Sequence, residues 1–317
     1  MKRILLIAAA CLLFSVTGNS QKTTPKKNTV SKTKKVKPKK SNTSIWDSLM
    51  IKKPAAAGTG TYESLKLKNS RKSFIKVVYD IPQADSLAVW VEGFKEAGFL
   101  DTMASVINRL FVLKKNLTLS MRQCYMVNAF YNSDDQELTL CPEMVKFLYD
   151  FYKPHIPNED TLYQKVGNTI AFIYFHELGH AMIHLLDIPI TGKEEDAADY
   201  FSFYLLGSNG VEEGVAAVVD GADFFYNSYL EMIKSPQYDS LKKEGKELLA
   251  FPFWDEHSLD IQRFYTLACL LYGSDPDKYE FIRTQGLLGE RRPGICIREF
   301  AKIKRSWDRL LKEHLRK

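Results

Sequence analysis

The chain has 317 residues, 45% of them hydrophobic and 12% aromatic, with a formal net charge of +6 at pH 7. That apolar content can fill the core of one large domain or two small ones, and it excludes a wholly disordered chain. The positive charge is local: setting aside nine lysines between 22 and 40, together with Lys2 and Arg3, leaves −5 for the remainder.

The first residues, "MKRILLIAAACLLFSVTGNSQ", have a charged start, an apolar run from Ile4 to Val16 and small residues before Gln21. This is the pattern of a cleaved secretory signal over 1–20, and the run is short for a membrane span. "AAAC" at Cys11 loosely resembles a lipoprotein box, but apolar residues continue past it. The lysines just downstream oppose translocation, by the rule that positive loops stay inside.

Residues 21–60 are rich in Lys, Pro, Thr, Ser, Ala and Gly. They read as a flexible tether able to touch anionic polymers of the cell envelope. A nucleic-acid platform would interleave aromatics, and this tail does not, so no specific nucleic-acid partner is expected. No later segment is apolar for long enough to cross a bilayer.

From about residue 61 to 317 the chain reads as one folded domain. "SFIKVVYD" reads as a strand and "ADSLAVWVEGFKEAGFLDTMASVINRLFVL" as one or two helices. "LTLSMRQCYMVNAFY" and "QELTLC" read as paired strands. Beyond Pro142 the pattern is helical, ending in a helix whose Ile297, Phe300, Ile303, Trp307 and Leu310 form one apolar stripe. The class is α+β, with a small N-terminal mixed or antiparallel sheet and a mostly helical C-terminal part.

Without Cys11 four cysteines remain, an even number that suits an exported protein. A hairpin centred near Asn132 or Ser133 sets Cys124 opposite Cys141, and Cys269 with Cys296 completes the set. The competing reading is four buried free thiols.

The stretch "FHELGHAMIHLLDIPITGKEEDAADYF" carries three of the six histidines. His176 and His180 are four apart, which on a helix is about 40° of rotation and roughly 6 Å of rise, so both can reach one ion. Glu177 is placed to act on a water held by that ion. "HELGH" is the HExxH arrangement of zinc peptidases. The preceding "TIAFIYF" is apolar all round, as a helix buried beneath such a site must be. His184 lies about 12 Å along the axis from His176, too far to join the same tetrahedron. Position 186, where metzincins carry a third histidine, is Leu.

Pro189 and Gly192 reverse the chain. Thr191 can then cap a second helix, with Glu194 reaching back in a capping box. That leaves Glu195 free to be the third ligand. Asp199, one turn on, can accept from a ligand histidine's far nitrogen, and Ala197 and Ala198 let the two helices approach closely.

"HELGH" with "EEDAAD" resembles the gluzincins, and the Glu-x-x-Ala-Asp form is similar to that of HtpX-type, CAAX-prenyl-type and ImmA-type peptidases. In "WDEHSLDIQRFY", His257 and Arg263 match an HtpX-type His and an Arg six residues later, with Ser258 where that type has Pro. "CYMVNAFYNSDDQELTLCPEM", "HELGHAMI", "GKEEDAADYF", "HSLDIQRFYTLACLLYGSDP" and "CIREF" are similar to a soluble bacterial metallopeptidase family, over roughly residues 120–310. The resemblance implies a zincin-like fold, a bound zinc ion, a peptide or protein substrate and Glu177 as general base. It also points to His257 as the group that stabilises the oxyanion, with Arg263 orienting His257 or Asp255. The alternative for His257 is a structural histidine capping "SLDIQRFY". The edge for an extended peptide lies between Val127 and Leu140. The rival class is a catalytically inactive zincin-fold binding or scaffold protein of the envelope, against which an intact Glu177 argues.

Overall fold

A computed structural model describes residues 75–316; the expected signal, the Lys-rich tether and the first residues of the expected domain lie outside the described residues. Among these are a four-stranded mixed sheet and ten α-helices, two of them between the first and second strands and eight after the last. Strand β1 is Ile75–Tyr79, followed by helices α1 (Asp85–Glu96) and α2 (Phe99–Leu110). Strands β2 (Leu117–Met121), β3 (Ala129–Asn132) and β4 (Glu137–Leu140) complete the sheet in the order β1-β2-β4-β3. β1, β2 and β4 are parallel, and β3 runs antiparallel to β4 at the open edge.

The sequence stretch read as one strand from Leu117 to Tyr131 is thus two, joined by residues 122–128. Both expected disulfides are formed, Cys124–Cys141 and Cys269–Cys296. The hairpin is not what brings the first pair together. Its register, Ala129 with Leu140, sets Cys141 opposite Asn128, whose carbonyl accepts the Cys141 N–H. Cys124 arrives instead because the 122–128 segment folds back over the next helix. There Glu143 accepts the backbone N–H of Cys124 at 3.2 Å and of Tyr125 at 2.8 Å.

The helical part is built around α4 (Glu159–Leu186), after α3 (Pro142–Tyr152). Asn158 caps α4 by accepting from Thr161 N at 2.9 Å, and Asp187 ends it in the left-handed region at φ 54°. Ile170 to Phe172 and Tyr174 to His176 are buried, as the all-apolar run requires. On it pack α5 (Glu194–Leu206) and α6 (Glu212–Ile233); α7 (Pro236–Lys243), α8 (Asp260–Ser274), α9 (Glu280–Thr284) and α10 (Arg292–Leu311) follow, α8 lying against α6 and α10 against α8. Gly179 lets α4 and α5 meet: a Cβ there would sit 3.0 Å from Ala198 Cα. Among the described residues no helix is long and apolar enough to cross a membrane.

The C-terminal stripe is rotated from its expected position. Pro293, Cys296, Trp307 and Leu311 are the buried side chains of α10, while Ile297 is 44% exposed. The close approach of α8 and α10 sets that rotation. The Cys269–Cys296 bond joins them, and a Cβ on Gly273 would fall 2.3 Å from Cys296 O.

Candidate metal centre

His176, Glu177 and His180 lie on one face of α4, and the turn through Pro189 and Gly192 brings the start of α5 back across it. The Nε2 atoms of His176 and His180 are 3.3 Å apart. Glu195 places Oε2 3.0 Å from the first and Oε1 3.4 Å from the second. Ligand atoms of these three residues all fall within 4.8 Å of one another.

The far nitrogens fix the tautomers. His176 Nδ1 donates to Asp199 Oδ1 at 2.8 Å, and His180 Nδ1 donates to Glu194 Oε1 at 2.8 Å. Each ring therefore turns the electron pair of Nε2 toward the other ring and the Glu195 carboxylate. Three electron-pair donors converging this closely require positive charge among them. Two imidazoles and a carboxylate are a donor set that metal ions of the zinc type accept, so the residues present fit a metal.

Electrostatics follow from the same geometry. Without a metal ion the positive charge is supplied by protons on the rings: burial opposes charge on His180, but Glu195 and Glu194 push its pKa up to about 9. Glu195 is raised by burial yet held far below the usual carboxylate range by bonds from His176, His180 and His257. Asp199, buried, is likewise held low by Arg263 and His176. Burial pushes Glu177 upward, toward the range in which a carboxylate can take up a proton.

Glu177 accepts the backbone N–H of Tyr131, on the edge strand β3, at 3.1 Å. The Cys141–Asn128 bond sets the parity of the ladder, so Ala129 and Tyr131 turn their peptide groups to the open side. This edge lies within the stretch Val127 to Leu140 expected to meet substrate. Tyr131 Oη also lies 2.8 Å from His184 Nδ1, which places His184 beside the sheet and outside the metal set.

Two expectations change. Thr191 does not cap α5: its N-cap residue is Lys193, with no side-chain cap bond, and Glu194 is occupied with His180. The helix begins two residues later than the capping-box pattern needs. Arg263 does not orient His257 or Asp255 but binds Asp199, Nε to Oδ2 at 2.8 Å and Nη2 to Oδ1 at 2.7 Å. Its guanidinium also lies 3.9 Å from the Phe225 ring centroid. From α8, Arg263 can reach only inward, whereas His257 precedes that helix on a loop.

His257, 45% exposed in its side chain, points Nε2 at Glu195 Oε2 at 2.9 Å and Nδ1 at Asp255 Oδ1 at 3.0 Å. Glu195, and then Asp255, push its pKa up to about 9. Its ring stacks on that of His176, with centroids 6.3 Å apart. Ser258 donates to Asp196 at 2.7 Å, tying the loop to α5. Sequence reasoning missed the roles of Glu194, Tyr131 and Asp255. Only Asp255, two residues before His257, carried a visible signal.

A family model described as "Putative metallopeptidase" matches residues 79–311, well over half of the chain. No curated protein and no solved structure matches.

Proposed function

The chain belongs to this family of metallopeptidases, and we propose that it is a zinc-dependent endopeptidase of the gluzincin type that acts outside the cytoplasm. The observation that carries this reading is the convergence of His176 Nε2, His180 Nε2 and the Glu195 carboxylate beside the half-buried Glu177. Zinc held there would lower the pKa of a bound water and polarise the carbonyl of the bond to be cut.

The residues then divide the work. Glu177, raised by burial and held by the Tyr131 N–H, takes the proton of the attacking water and passes it to the leaving amine. Asp199, itself locked by Arg263, holds His176 by its far nitrogen, and Glu194 does the same for His180. His257 can donate from Nε2 to the oxyanion, with Asp255 fixing the proton on Nδ1. The open edge of β3 offers peptide groups to an extended substrate. The N-terminal signal pattern and the two disulfides support export.

The test is metal analysis of purified protein with a diverse peptide library. One equivalent of zinc and discrete cleavage are expected. Zinc binding with no cleavage of any peptide would favour the scaffold reading instead.

A further inference from the structure

Beside the candidate centre, the chain between α6 and α8 lines a half-open cavity of about 400 Å³. Its walls are Tyr229, Met232, Phe251, Pro252 and Leu259, with Asp260 among them. The aromatic side is built up by Phe251, whose ring lies 6.4 Å from that of Tyr229 and 6.2 Å from that of Tyr238. The cavity shares His257 and Arg263 with the centre, so a substrate held at the metal passes its mouth.

The charges that line it are not equivalent. Arg263 is spent on Asp199 in a two-bond pair. His257 lies between Glu195 and Asp255, and Asp255 accepts both its backbone N–H and its ring. Asp260 has no ion-pair partner among the described residues. What remains is an apolar, partly aromatic cavity with one carboxylate, Asp260, that Arg263 and His257 favour only at a distance and that forms no ion pair among the described residues.

We propose that this cavity receives a lysine or arginine side chain of the substrate, next to the bond that is cut. The proposal rests on the peptidase reading above. A basic side chain has the two parts the cavity asks for. Its methylene stem packs on Met232, Pro252 and Leu259, and its cation meets Asp260 and the faces of Tyr229 and Phe251. A glutamate would face Asp260 and Asp255 with like charge. A leucine or phenylalanine would fill the walls but bury Asp260 without a partner.

The test uses the full chain loaded with zinc and a library of quenched fluorescent peptides, with cleavage sites read by mass spectrometry. Lys or Arg at one position flanking the cut should raise kcat/KM at least about tenfold over Leu, Phe or Glu there, as expected when a buried polar group finds or lacks its partner. Asp260→Asn should lower the ratio of basic to neutral kcat/KM by about tenfold or more. Calorimetry on Glu177→Gln reads the cavity without turnover: a lysine peptide should bind more tightly than its norleucine counterpart, and Asp260→Asn should erase the difference. Cleavage of no peptide at all would count against the peptidase reading. Cleavage without basic preference, or equal binding of the lysine and norleucine peptides, would overturn the cavity assignment whether or not turnover is seen.

Discussion

One oxygen of Asp199, Oδ1, accepts both from His176 Nδ1 at 2.8 Å and from Arg263 Nη2 at 2.7 Å. The arginine thus reaches the candidate metal centre through a single buried carboxylate. Arg263→Met takes the guanidinium from a buried carboxylate and leaves His176 as its remaining partner, which should destabilise the fold by about 3 kcal/mol. Asp199→Asn keeps the shape but not the charge, and should weaken metal binding about 10–100-fold with a smaller stability loss. Denaturant titration and competition against a chelator separate the two effects. Equal stability loss in both variants would contradict the order drawn here.

Glu195 and its neighbour Glu194 should behave differently on truncation. Glu195→Ala removes the carboxylate that faces both Nε2 atoms, so zinc should be lost at stoichiometric protein. Glu194→Ala removes an outer partner of His180 that is 51% exposed, and metal should be retained with affinity reduced about tenfold. Metal content by mass spectrometry decides. If Glu194→Ala alone strips the metal, the ligand assignment is reversed.

The four-residue spacing of His176 and His180 and the apolar run before them were enough to place both rings on one buried helix face. The turn at Pro189 and Gly192 was equally legible, because those residues punctuate any chain. The cap of α5 was not. A Thr followed by Glu three residues later fits a capping box, but the pull of His180 on Glu194 is tertiary and leaves no local trace. The same holds for Arg263, whose partner lies 64 residues away. Cys124 and Cys141 were paired correctly from an expected hairpin, yet for a different reason: Glu143 gathers the loop, and that contact crosses no regular register.

A second buried charge cluster lies away from the candidate metal centre. Lys165 Nζ sits 2.9 Å from Asp220 Oδ1 and 2.7 Å from Asp223 Oδ2, and Asn168 donates to Asp220 at 2.7 Å. Burial opposes the charge on Lys165, but the two aspartates raise its pKa well above the ordinary value. Its contribution is therefore present below the unfolded lysine pKa of about 10.4 and is lost as pH rises through the folded value. Lys165→Met should cost about 3–5 kcal/mol at pH 7, since two carboxylates lose their cation. Burial already pushes Asp220 upward, and without Lys165 it rises further. The deficit should thus shrink as pH falls and Asp220 takes up a proton. Thermal melts across pH check the sign, and a deficit that grows on acidification would contradict it.

The sharpest division of roles is between Glu177 and His257. Glu177→Gln preserves shape and can still accept the Tyr131 N–H through its amide oxygen, so fold and metal content should persist. Hydrolysis should be abolished, because an amide cannot take the proton of the attacking water. His257→Ala should act later in the reaction. Its ring contacts Glu195 only at the open face of the site and is not needed to gather His176 and His180, so substrate binding should be largely kept. Losing a donor used mainly in the transition state should lower kcat by about 10²–10³-fold with KM little changed. Asp255→Asn should cost less than His257→Ala, since the donor remains and only the proton on Nδ1 is held less firmly. Steady-state kinetics with metal analysis distinguishes the cases: full activity in Glu177→Gln removes the general base from the mechanism. A rise in KM with unchanged kcat in His257→Ala would instead make that histidine a substrate-binding group.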